Sequence, residues 1–192
     1  SVAVEGENPI SLFAKVKDML IVGLGDSFGS GEGNPDIPVT MSDKLRYRNL
    51  YPQRAVNDVS GNAQWLDRLC HRSLYSHQLR AALQIAIENP RASVTFLGYA
   101  CSGASIAAGI MGPQEYVERV STGQGSRFVA GSSKDSQLRW LLRELCAVDA
   151  EQDDDGIWAC PGGNFRRPID YLLLSVGGND IGFARLLAYA VL

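Results

Sequence analysis

Ser27 is placed for chemistry by its neighbours. It follows Met19-Leu20-Ile21-Val22-Gly23-Leu24-Gly25 and Asp26, and it precedes glycines at 29, 31 and 33. The apolar run has the length and composition of a strand buried on both faces, as in a parallel sheet. A serine at the end of such a strand cannot easily retreat into the core. Flanking glycines leave room for a substrate to approach the backbone and permit unusual backbone angles. The position suits a nucleophile, and the free N–H groups after the strand can face a developing negative charge.

Three motifs compete for this loop. A dinucleotide fingerprint G-x-G-x-x-G would start at Gly23 and Gly25, but Phe28 occupies its third glycine position. A phosphate loop of the Walker type needs a lysine before its serine or threonine, and none follows here. Gly25-Asp26-Ser27-Phe28-Gly29 does match G-x-S-x-G, the nucleophile-elbow pattern. On this loop alone, a glycine-rich turn with an incidental serine fits as well.

Two further breaks follow strands. Ser93 to Leu97 reads as a second strand and runs into Gly98-Tyr99-Ala100-Cys101-Ser102-Gly103-Ala104-Ser105. Ile169 to Val176 reads as a third buried strand and ends in Gly177-Gly178-Asn179-Asp180. Helical periodicity covers 73–88, with Leu79, Leu83 and Ala86 on one face and Ile87 beside them; Asn89-Pro90 ends it. An amphipathic helix over 137–148 carries Leu138, Leu141, Leu142 and Leu145, and a last helix is expected over 181–192. Between these lie a long irregular loop at 30–64, a Gly- and Ser-rich stretch at 112–134 with a short helix near Glu115–Val120, and an acidic turn at 151–155. Long loops in compact domains are commonly functional, and the first would form one wall of a pocket. Residues 1–18 are expected to be an extension, or the remnant of a preceding segment, ahead of one domain over 19–192. The alternation of strand and helix argues for an α/β fold, a parallel sheet with helices packed on it. In such sheets the ligand crevice lies beyond the carboxyl ends of the strands, where all three breaks would converge.

Composition sets the outer bounds. At 192 residues the chain has the size of one α/β domain, and 45% hydrophobic content is enough for a core. A net charge of −3 gives no electrostatic case for nucleic acid or an anionic membrane. No apolar run is long enough for a transmembrane segment. The four cysteines form no C-x-x-C pair, and with only two histidines no zinc or other metal site is expected. An even count suits two disulfides in an oxidising compartment, with three pairings open; four free thiols in a cytosolic protein is the alternative.

Gly25-Asp26-Ser27, Gly103 within Cys-Ser-Gly-Ala, and Gly177-Gly178-Asn179-Asp180 together resemble the SGNH (GDSL-type) hydrolases, a family named for Ser, Gly, Asn and His in four sequence blocks. Cys70-His71-Arg72-Ser73 resembles the Cys-x-Arg-Ser segment of that family's secreted bacterial lipase and esterase branch. The resemblance covers roughly 20–185 and implies a three-layer, flavodoxin-like α/β fold. It implies an esterase or lipase that works without a cofactor. Ser27 would attack an ester carbonyl, and the N–H groups of Ser27 and Gly103 and the Asn179 carboxamide would form the oxyanion hole. Asp26, Gly178 and Asp180 would support the site, the two aspartates by hydrogen bonds to the loops. Alone, Asn179 would read as a helix N-cap. The branch pairs Cys70 with Cys101, and Cys146 with Cys160 is the second pair expected. A secreted or periplasmic location is implied, with a small-molecule or lipid ester as substrate.

The family's fourth block, Asp-x-x-His, has no counterpart in this sequence. The catalytic His is therefore expected on a further C-terminal segment, such as a second fragment of the same precursor, or lost. His71 and His77 are expected to be structural or exposed rather than to act as the base. A non-catalytic lipid- or carbohydrate-binding module on the same fold, or an acyltransferase using the same acyl-enzyme, are the other readings.

Overall fold

The computed structural model describes residues 15–38, 47–48, 51–52, 63–115, 117–122, 125–130, 135–153, 156–183, 186 and 189–190. Most of the 30–64 loop and of the first 18 residues therefore lies outside the described residues. Strand β1 (Lys17–Gly25) leads into a four-residue helix α1 (Ser27–Ser30), followed by the short pair β2 (Tyr47–Arg48) and β3 (Tyr51–Pro52). Helix α2 (His77–Glu88) and strand β4 (Ala92–Gly98) come next. A hairpin of β5 (Val117–Thr122) and β6 (Gly125–Ala130) precedes helix α3 (Gln137–Leu145). The small hairpin β7 (Glu151–Gln152) and β8 (Trp158–Ala159), a 3₁₀ turn at Pro161–Gly163 and strand β9 (Tyr171–Ser175) follow.

Three strands form one parallel sheet in the order β4-β1-β9. Its registers set Ile21 opposite Phe96 and Tyr171, and Gly25 opposite Ser175. β1 is central, and its residues from Met19 to Gly25 are buried. That follows from its sequence, because a strand covered on both faces must be apolar on both. Leu20, Val22 and Leu24 pack against Leu141 and Leu145 of α3, with Leu97 and Tyr99 at the margin. The other face of β1 meets α2, whose Gln78 lies against Gly23. Helices thus cover both faces, and each fully buried leucine contributes on the order of 2 kcal/mol.

Asp170 starts β9 by pairing with β1 through both its backbone and its side chain. Its N–H donates to Leu20 O at 2.9 Å, and its Oδ2 accepts from Leu20 N–H at 2.7 Å. Beyond β9, backbone bonds from Phe183 to Gly178 and from Leu186 to Gly182 begin the expected last helix. Most of 184–192 lies outside the described residues.

Three expectations need correction. First, α2 is rotated and begins later than its periodicity predicts. It buries Gln78 and Ala82, while Leu83 and Ile87 are 57% and 65% exposed. Ser76 caps it by accepting from Leu79 N–H at 3.2 Å, so 73–76 stay outside the helix. Second, the stretch around Glu115–Val120 is strand, not helix. Val117, Val120 and Thr122 are β-branched, and their strand pairs with β6 in antiparallel register, Thr122 opposite Gly125. Third, β9 is not a buried strand but an edge among the described residues. Leu172 and Leu174 are each more than half exposed.

Candidate active site

The end of β1 is pulled tightly onto β9. Gly25 has φ +144°, and a Cβ there would lie 2.1 Å from Ser175 O, so only glycine is accommodated. Asp26 then leaves the strand. Its N–H donates to Ser175 O at 2.8 Å, and its Oδ1 accepts from Phe28 N–H at 3.0 Å, which makes it the N-cap of α1. Ser27 is the first residue of that helix and is half-buried. Its carbonyl accepts from Gly31 N–H at 3.1 Å, Glu32 N–H at 3.0 Å and Ser30 Oγ at 3.1 Å. The backbone of the candidate nucleophile is therefore held firmly on one side.

The second break continues directly from the sheet. Tyr99 N–H donates to Gly23 O at 2.7 Å and Cys101 N–H to Gly25 O at 2.9 Å, so this loop leaves beside Ser27. A disulfide joins Cys101 to Cys70, and another joins Cys146 to Cys160. Both are the expected pairs, the first of them implied by the resemblance. Gly103 is exposed with φ +80°, a conformation that favours glycine.

The third break closes on the other two. Asn179 Nδ2 donates to Ala104 O at 2.8 Å, one residue beyond Gly103. Its carboxamide has two N–H donors, so one remains for a ligand. Asp180 accepts from Ile106 N–H at 3.0 Å. Ser175 Oγ donates to Asp26 Oδ1 at 3.4 Å, and a Cβ on Gly178 would lie 3.5 Å from Asp26 Oδ2. Asp26, Gly178 and Asp180 thus sit at the junctions between the three loops, and the two aspartates hold them by hydrogen bonds. Asn179 is not a helix cap here, because its side chain reaches across to another loop.

Other residues of the site gave no signal in the sequence. Gln78 of α2 and Gln137 of α3 are both buried and grip the end of β1 from opposite faces of the sheet. Gln137 Oε1 accepts from Gly25 N–H at 2.9 Å, and its Nε2 donates to Gly25 O at 2.8 Å. Gln78 Nε2 donates to Leu24 O at 2.9 Å and Leu173 O at 3.2 Å. A glutamine where an amphipathic helix should present an apolar side chain is the only clue. Gln114, 5% exposed, donates from Nε2 to Ser102 O at 2.8 Å.

Glu32 links the first two loops electrostatically. Ser102 Oγ donates to its Oε2, and His71 Nδ1 lies 3.3 Å from its Oε1. The His71 imidazole beside it, with help from Ser102, holds the carboxyl below its ordinary range despite the opposing effect of burial. His71 stacks on Trp65 with ring centroids 4.7 Å apart. His77 is exposed at the first position of α2. Farther out, burial, with Glu144 adding to it, pushes the Tyr99 hydroxyl up to about 12.

An apolar cavity of about 260 Å³ lies behind α1, lined by Gly29, Ser30, Leu66, Leu79 and Phe96 among others. Ser27, Gly103 and Asn179 do not line it, so this cavity is separate from the junction of the three loops. Among the described residues, no three His, Cys, Asp or Glu side chains are grouped to hold a metal ion. No described helix is long and apolar enough to cross a membrane. Comparisons with protein-family models, with curated proteins and with solved structures found no match.

Proposed function

We propose that this chain is a serine-dependent carboxylic ester hydrolase of the SGNH type. Ser27 Oγ attacks the ester carbonyl, the alcohol leaves, and an acyl-enzyme forms that water then hydrolyses. The negative charge of each tetrahedral intermediate falls to the N–H groups of Ser27 and Gly103 and to the second amide N–H of Asn179. One lost donor of this kind costs roughly a hundred- to a thousandfold in rate. The observation that carries the reading is the Asn179 bond to Ala104 O, which joins the third loop to the second beside Gly103. Two disulfides suit an oxidising compartment, which supports a secreted or periplasmic site of action.

The serine needs a base. His71 is turned to Glu32 and Trp65, and His77 is exposed on α2, so neither is assigned that role. The proposed source is a further segment of the same precursor that adds to the open side of β9. Among the described residues no strand pairs with that side, and Leu172 and Leu174 are more than half exposed. Intact-mass analysis of active material should find a second polypeptide or a longer chain. Full activity in this chain alone would remove that part of the proposal.

A fluorophosphonate probe should label Ser27, and p-nitrophenyl ester hydrolysis should vanish in Ser27→Ala. Labelling that persists in Ser27→Ala, or lipid or carbohydrate binding with no labelling of the wild type, would replace the esterase with a non-catalytic module. Transfer to an added alcohol in preference to water would instead make the protein an acyltransferase.

A further inference from the structure

We propose that Gln114 is a positioning residue that aims the Gly103 N–H into the oxyanion site, with Glu32 as a second hold on Ser102; this rests on the esterase reading above. The peptide at issue joins Ser102 to Gly103. Its oxygen is Ser102 O and its hydrogen is the Gly103 N–H. In a trans peptide these point in opposite directions, and no described peptide is cis. Whatever holds the oxygen therefore aims the hydrogen.

Ser102 O accepts from Gln114 Nε2 at 2.8 Å. Gln114 is 5% exposed, so the carbonyl points inward and the N–H points outward, where Gly103 is exposed. That is the direction a substrate carbonyl must come from. The hold is needed because Gly103 sits at φ +80°. A peptide that precedes a glycine can turn over at little steric cost, and the turned peptide would present an oxygen where a donor is required.

Glu32 acts on the same residue from the nucleophile side. Its own N–H is bonded to Ser27 O at 3.0 Å, and its carboxylate accepts from Ser102 Oγ. On the remaining side, Ser102 N–H donates to Cys70 O at 3.0 Å. Ser102 is thus fixed through its N–H, its hydroxyl and its carbonyl, but only the carbonyl contact sets the direction of the Gly103 N–H. The Gln114 side chain is buried and its Nε2 is engaged by Ser102 O, so it acts through the peptide and not on the substrate.

The test is ester hydrolysis by Gln114→Met in the protein that carries the base-bearing segment; the substitution keeps the volume and removes the donor. The expected result is a fall in kcat of roughly ten- to a hundredfold, with KM changed less than about threefold, because the N–H is needed most at the tetrahedral stage. Gln114→Glu is the second variant, in case the first does not fold. Its protonated carboxyl can donate to Ser102 O and its carboxylate cannot, so its kcat should fall, relative to wild type, as pH rises. The Gly103 amide resonance should also move in both variants. Wild-type kcat in both variants, with an unmoved Gly103 resonance, overturns the proposal and leaves the esterase reading standing. Active-site failure in wild-type material that carries the base-bearing segment, with Ser27 neither reacting with the probe nor supporting hydrolysis, overturns both.

Discussion

Gln137→Leu offers a direct test of how the nucleophile turn is held. Gln137 is 4% exposed and makes two bonds to one residue, accepting from Gly25 N–H and donating to Gly25 O. The two bonds are unequal. Gly25 O has a second donor in Cys101 N–H at 2.9 Å, so losing Gln137 there leaves the carbonyl satisfied. Gly25 N–H loses its acceptor, and an orphaned buried donor costs about 1–3 kcal/mol. Leucine keeps most of the volume, so the cavity contribution is small. We expect a loss of about 2 kcal/mol, roughly thirtyfold in the folding equilibrium, with an unchanged denaturant slope. Urea unfolding with both disulfides intact measures it. Gln137→Glu sharpens the test. Its carboxyl must stay protonated to donate to Gly25 O, so burial raises its folded pKa. Stability is retained below the unfolded pKa and falls as pH rises above it, by about 1.4 kcal/mol per unit until the folded pKa is reached. A leucine variant within about 0.5 kcal/mol of wild type, together with a glutamate variant indifferent to pH, would refute the reasoning.

Other substitutions probe the same junction. Gly25→Ala sets a Cβ against Ser175 O and forces alanine into the left-handed region, so a loss on the order of 3 kcal/mol or more is expected in thermal unfolding. Asp26→Ala removes the α1 cap and the contact with Ser175, costing about 1–2 kcal/mol, whereas Asp26→Asn should recover most of it. Replacing Cys146 and Cys160 by alanine opens a bridge of sequence separation 14, worth about 3 kcal/mol, and calorimetry should show the drop. Because His71 holds the Glu32 carboxyl low, the stability it contributes is present above the unfolded pKa and lost as pH falls through the lowered folded value. Near-UV circular dichroism should show that acid-dependent loss in wild type and a weaker one in Glu32→Gln.

The local pattern was readable where one residue's surroundings dominate. Met19 to Gly25 could only be a central strand, because seven buried positions without alternation need cover on both faces. Leu138, Leu141, Leu142 and Leu145 marked α3, which stops at Leu145 where the next residue, Cys146, enters its disulfide. The three glycine-rich breaks, and with them the candidate residues, stood out by composition. Periodicity misplaced the rest for one reason: it counts apolar side chains and cannot see what they meet. Leu83 and Ile87 are apolar yet exposed, while Gln78 is polar yet buried, because the backbone oxygens of Leu24 and Leu173 give it partners. The same blindness hid Gln137 and Gln114, whose partners lie 112 and 12 residues away. Spacing alone left three cysteine pairings open; the resemblance implied Cys70 with Cys101, and the structure joins that pair and Cys146 with Cys160. Residue type and order thus determined the central strand, α3 and the glycine-rich breaks that carry the candidate residues. The tertiary structure decided which buried amides hold them in place, since a hydrogen bond across the sheet depends on distance in space, and the order of residues along the chain carries no record of it.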